Sequence, residues 1–119
     1  MDAIRRLRLE ELIRTQIMTM ISRGQIKDPR VAWHVNLTRV HIAEDLSIAK
    51  IYVSSDKGEK TISAACQGLN SAAGFIRVQL GKVMKSKNTP KPIFFPDEGL
   101  QKSYGVEKLL DQIAETAVE

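Results

Sequence analysis

A chain of 119 residues with 43% hydrophobic side chains supports one apolar core and hardly two, so a single domain over residues 1–119 is expected. The net charge of +4 suits a polyanionic partner. The lone cysteine, Cys66, excludes an internal disulfide and a thiolate metal cluster. No apolar run approaches the ~20 residues that span a bilayer, and acids and arginines interrupt the start where a secretory signal would be apolar. A cytoplasmic protein without membrane attachment is expected.

Residues 5–22 read as an amphipathic helix, with Leu9, Leu12, Ile13, Ile17 and Met20 on one face. Gly24 supplies a left-handed stop, and Lys27-Asp28-Pro29-Arg30 a turn. Val31 to Ile42 reads as a strand. Its alternation runs through Val31, Trp33, Val35 and Leu37 and then changes phase at Val40 and Ile42, which predicts a β-bulge near Thr38-Arg39. After Ala43–Ser47, a second strand from Ile48 to Ser54 places Ala49, Ile51 and Val53 on one face, with Lys50 and Tyr52 on the other. The short connection favours an antiparallel pair.

A loop at Asp56–Glu59 leads into two helical pieces. Ile62, Ala65, Leu69 and Ala72 make the apolar arc of the first, and Ile76, Leu80, Val83 and Met84 that of the second. Between them stand Ser71-Ala72-Ala73-Gly74. Glycine inside a helix costs about 1 kcal/mol against alanine, so these small residues predict a bend or a close backbone approach. Beyond the bend the polar face is cationic, with Arg77, Lys82, Lys85 and Lys87, and no carboxylate side chain stands between Glu59 and Asp97. Asn88–Pro92 ends the helix, Ile93-Phe94-Phe95 forms a third short strand closed by Pro96, and Val106, Leu109, Leu110 and Ile113 give a last helix an apolar face over about 103–117. The order α-β-β-α-α-β-α makes an α+β domain, a three-stranded sheet with helices packed on one face.

Groups that converge for catalysis are few. His34 and His41 share a strand, but no acid is spaced to orient either one. Glu44-Asp45 and Asp97-Glu98 lie in turns, where capping is the ordinary role. P-loop, GxGxxG, HExxH and GxSxG motifs do not occur. Cys66 borders an apolar arc and reads as a small buried hydrophobe. No catalytic residue, metal site or cofactor is expected, and Gly68, Gly74 and Gly81 are spaced like helix-packing glycines. Trp33 and Phe75 are assigned to the core, which leaves few exposed aromatics to stack bases.

Four segments together resemble the ribosome-binding factor A family: Lys27-Asp28-Pro29-Arg30; Glu44 through Ser54; Gly74-Phe75-Ile76-Arg77 with Leu80-Gly81-Lys82; and Pro90 through Phe95 followed by Asp97. The resemblance implies a KH-like domain of the second type, in which a helix-kink-helix with an Ala-x-Gly sequence replaces the backbone-clamping GXXG loop. Ala72-Ala73-Gly74 fits that pattern. It further implies a non-enzymatic monomer that binds the small (30S) ribosomal subunit and its 16S rRNA during late maturation, with other maturation factors or GTPases as candidate partners. On this reading Arg77, Lys82, Lys85 and Lys87 make the main phosphate contacts. Arg5, Arg6 and Arg8 add to them, and Lys27 and Arg30 contribute less. The alternative is a protein-interaction module that docks acidic partners on the same basic helices.

Overall fold

The computed structural model describes residues 2–32, 34–85 and 88–97, so the expectations for Trp33, Lys87 and the helix over about 103–117 lie outside the described residues. The first helix, α1 (Ala3–Ser22), starts two residues earlier than the apolar period suggested. Asp2 caps it, its carboxylate accepting the Arg5 backbone N–H at 2.8 Å. It ends in a Schellman pair, Gln25 N–H to the Met20 carbonyl and Gly24 N–H to that of Ile21, with Gly24 at φ 66°. Ile13, Ile17, Met20 and Ile21 are buried, and Leu9 and Leu12 pack at the margin of the core.

The turn that follows is held by charge. Asp28 Oδ1 accepts both the backbone N–H and Nε of Arg30, and Oδ2 accepts Nη2 at 2.7 Å. Val31, Ala32, His34 and Val35 then stay out of the sheet: Val31 N–H donates to the Asp28 carbonyl and Val35 N–H to that of Ala32. The strand expected from Val31 therefore begins later, as β1 (Asn36–Ile42). Local hydrogen bonds to the turn have won over alternation.

β1 pairs antiparallel with β2 (Ile48–Ser54), and the register shifts between Leu37 and Arg39, leaving Thr38 as the bulge. That shift carries Leu37, Val40 and Ile42 to the same buried side. Between β2 and the final strand run α2 (Glu59–Ser71) and α3 (Ala73–Val83). The crossover returns as β3 (Lys91–Pro96), parallel to β2, giving the sheet order β1-β2-β3. Pro92 and Pro96 are tolerated because β3 is an edge strand.

One apolar core joins Ile13 and Ile17 of α1, Leu69 of α2, Ile76 and Leu80 of α3, and Ile42, Ile51, Val53 and Phe94 of the sheet. Tyr52, on the opposite sheet face, is also buried. Its ring lies 5.9 Å from that of Phe95, and the Arg39 guanidinium sits over it at 4.8 Å. Both sheet edges are met by helix side chains. Glu10 of α1 accepts the Ile42 N–H at 2.8 Å. Asn70 of α2 closes a two-bond ring on Phe94, donating to its carbonyl at 3.1 Å and accepting its N–H at 2.9 Å.

Two glycines differ in what a side chain would meet. A Cβ on Gly68 would stand 2.9 Å from Val31 Cγ2 and 3.0 Å from Asp28 Oδ1, whereas one on Gly74 would meet nothing within 4 Å. Gly68 packs against the charged turn, while Gly74 packs against nothing, contrary to the helix-packing role expected for it. Gly68→Ala is therefore expected to lower stability by about 1–2 kcal/mol, and Gly74→Ala to raise it by about 0.5–1 kcal/mol. Urea denaturation of the two variants checks the opposite signs.

The Asp28–Arg30 pair sets an acid dependence. The Arg30 guanidinium beside Asp28 holds its carboxyl down to about 2, from an ordinary 3.8. A lowered carboxylate stabilises the fold when ionised, so its contribution is complete above about pH 4 and is lost as pH falls through the folded value. The stability gap between wild type and Arg30→Gln is expected to be widest above about pH 4 and to close near pH 2. Urea midpoints across that range test it, and a constant gap would contradict the pairing.

Candidate nucleic-acid interface

The helix pair breaks at Ala72, which sits at φ −90° and ψ 5° between α2 and α3. Its N–H is shared by the carbonyls of Gly68 and Leu69, both at 3.1 Å, and its own carbonyl accepts the Ile76 N–H that opens α3. The apolar arc stays in phase across the break: Ala65, Cys66 and Leu69 before it, and Ile76, Leu80 and Met84 after it, are all buried. Thus the same face is buried on both sides of the break. Two anchors fix its place. Asn70 holds the β3 edge, and Arg30 Nη2 donates to Ser71 Oγ at 3.3 Å. Gly74, in the first turn of α3, leaves the outer surface bare.

With Ile76 and Leu80 inward, a 100° period turns Phe75, Val78 and Lys82 outward, and Lys85 follows just past α3, beyond the extended Met84. All four are exposed, with Val78 at 60% and Phe75 at 44%. Phe75 and Val83, expected in the core, are corrections: Phe75 projects from the side of α3 opposite Ile76 and Leu80, and Val83 is 40% exposed at the rim. Lys82 stands in the last turn of α3, where a cation also complements the helix dipole. Arg77 is exposed, and its Nε donates to the Thr89 carbonyl at 3.0 Å, which lays the side chain along the connection to β3.

The arginines of α1 divide by what they touch. Arg6 Nη2 lies 3.5 Å from Glu44 of the β1–β2 connection, with the side chain only 27% exposed. Arg5 and Arg8 are exposed and make no ion pair with another described residue. By helical period they lie on the flank of α1 turned away from Glu10 and the β1 edge. The contacts with Ile42 and Glu44 put the start of α1 at the β1–β2 hairpin end. Lys91, the first residue of β3, donates its N–H to the Ser47 carbonyl, so α3 finishes at that end too. Arg5, Arg8, Lys82 and Lys85 thus share one end of the domain. Lys27 is exposed at the other end, beside the break, whereas Arg30 is committed to Asp28 and Ser71.

At the break a hollow of about 330 Å³ opens between the 25–28 loop and Ser71, Ala72 and Phe75. The histidines do not converge. His34 Nδ1 lies 3.0 Å from Ser55 Oγ, and His41 Nδ1 lies 3.8 Å from Glu10 Oε2. An acid therefore does reach His41, from α1, which local spacing did not reveal. Burial pushes the Cys66 thiol up to about 12, so it is held as an unreactive thiol. Among the described residues no group of three or more His, Cys, Asp or Glu is placed to hold a metal ion, and no helix is long and apolar enough to cross a membrane. Asn70 and Glu10 were not singled out from sequence. A faint signal existed for Asn70, since asparagine inside a helix signals a side chain bonded elsewhere.

Known proteins share this architecture. A model of the ribosome-binding factor A family matches residues 5–110. Ribosome-binding factor A of Borreliella burgdorferi strain ZS7 is 36% identical over 113 residues, covering 95% of this chain and 94% of its own. A Thermotoga maritima protein solved in solution superposes with TM-score 0.69 at 29% identity, over 84% of this chain and 93% of its own. Ribosome binding factor A of Thermus thermophilus, as fitted into a cryo-EM map of a 30S complex, superposes with TM-score 0.59 at 22% identity, over 74% of this chain and 90% of its own. The fold is KH-like. By sequence, fold and extent of match, the chain belongs to the ribosome-binding factor A family.

Proposed function

We propose that this protein binds the small ribosomal subunit through its 16S rRNA and assists late maturation of that subunit without catalysing a reaction. The observation that carries the proposal is the outer face of α3 and the residues just past its end: Lys82 and Lys85 are exposed, and the whole stretch between Glu59 and Asp97 lacks carboxylates. A face kept only for solubility would mix signs. The Thermus thermophilus relative fitted to a 30S complex supports the choice of partner.

Lys82, Lys85, Arg77, Arg5 and Arg8 form the phosphate-contacting set at the hairpin end, with Lys27 beyond the break and Lys87 as a further member. Arg6 and Arg30 contribute less, because Glu44 and Asp28 already engage them. Ala72, Ala73 and Gly74 let the RNA backbone approach α3. Contacts of this kind set position and affinity and carry little sequence information. Specificity then rests on the shape of an RNA junction available during maturation. Domain 1–119 acts as a unit, as a monomer, in the cytoplasm.

Binding to purified small subunits over a salt series is the test. With about four to six phosphates neutralised, log K falls against log salt with a slope of about −3 to −5. Lys82→Glu with Lys85→Glu is expected to weaken binding at least tenfold and to flatten the slope by about 2, with the melting temperature lowered by only a few degrees through the helix dipole. Gly74→Gln, harmless to stability at an open helical position, is expected to weaken binding comparably by holding the backbone away. Wild-type binding by both variants, or binding that survives RNase, favours docking of an acidic protein instead.

A further inference from the structure

We propose that an unpaired RNA nucleotide docks beside the helix break, its base stacked on Phe75 in the hollow at the 25–28 loop and its phosphate against Lys27. This rests on the RNA-binding reading above and extends it from the backbone to a base. Three observations converge on the hollow. Phe75 is 44% exposed, although its helix supplies Ile76 and Leu80 to the core. The hollow beside it, about 330 Å³, is at the lower end of the range for small-ligand sites. Its polar rim, from Gln25 and Lys27, offers an amide and a cation.

Asp28 also lines the hollow, and a bare carboxylate there would repel a phosphate. Arg30 removes that objection, because three donors of one arginine occupy both carboxylate oxygens. What remains on the exposed rim includes the aromatic ring, Gln25 and Lys27. Gly74, open on its outer side, precedes Phe75 and lets a strand leave the hollow along α3. Lys82 lies seven residues on, roughly 10 Å along the axis, so one strand reaches both. A base offers the flat π-face that stacks on the Phe75 ring, and stacking is tolerant of which base it is.

The test uses the full chain with small ribosomal subunits, and separately with short single-stranded RNA oligonucleotides, read by fluorescence anisotropy. Phe75→Ala is expected to weaken binding about 5- to 100-fold, the range for loss of one stacked base, with the salt slope unchanged. Phe75→Tyr is expected to bind like wild type and Phe75→Leu like the alanine variant, all with wild-type melting. Wild-type affinity in Phe75→Leu overturns the proposal and assigns the hollow to an apolar side chain of a protein partner. Absence of RNase-sensitive binding by wild type overturns the RNA reading itself, which separates the two failures.

Discussion

Asn70 holds the helix break against the sheet, and most of the surface chemistry depends on that hold. Its amide occupies both the N–H and the carbonyl of Phe94, as a neighbouring strand would. The two bonds satisfy an edge position that would otherwise be open to pairing with another chain. They also fix the last turn of α2 at a set height along β3. From that point Leu69 and Ile76 bury on either side of Ala72, and the outward direction of Phe75, Val78 and Lys82 follows by helical period. Glu10 does the corresponding work at the β1 edge, tying α1 to Ile42 and bringing Arg5 and Arg8 to the end where α3 finishes.

The basic side chains fall into two groups with different physical roles. Arg6, Arg14 and Arg30 each face a carboxylate, and the last of these builds the turn that packs on Gly68. Such pairs serve local geometry, and exposed ones add little to stability. Arg5, Arg8, Lys27, Lys82 and Lys85 meet no acid among the described residues. Their mutual repulsion is a cost that neutralisation by a polyanion relieves. In the proposed complex, counterion release would supply the driving force, and the shape of α3 at its break would select where it is delivered.

Much of this was legible in the chain. β2 was read to its residues, the bulge at Thr38 followed from a change of phase, and the break lay among the small residues at 71–74. The start of β1 was misread because the alternation from Val31 to Leu37 is real, while hydrogen bonds to Asp28 and Ala32 use the backbone otherwise. Phe75 was assigned to the core from apolarity, although a helix lying on a sheet buries only its inner arc, and Val83 from its helical period, although it is the last residue of α3 before the chain turns extended at Met84. Tyr52 was read on the outer sheet face, and burial there depends on Phe95 and Arg39, distant in sequence. Asn70 and Glu10 act across the fold on backbone groups, which the local sequence signals faintly at Asn70 and not at Glu10. The paired state of Arg30 was invisible for a different reason: Asp28 and Arg30 are neighbours, but only the turn geometry shows the carboxylate fully occupied.

The central claim is that the outer face of α3, beside the break, lies against ribosomal RNA. A photoreactive amino acid placed at Val78, 60% exposed on that face, tests it within the assembled complex with small subunits. Crosslinks from position 78 to 16S rRNA, with none from a control at Arg39 on the opposite sheet face, are the expected result. Crosslinks to RNA from position 39 alone, or from position 78 only to protein, would contradict it.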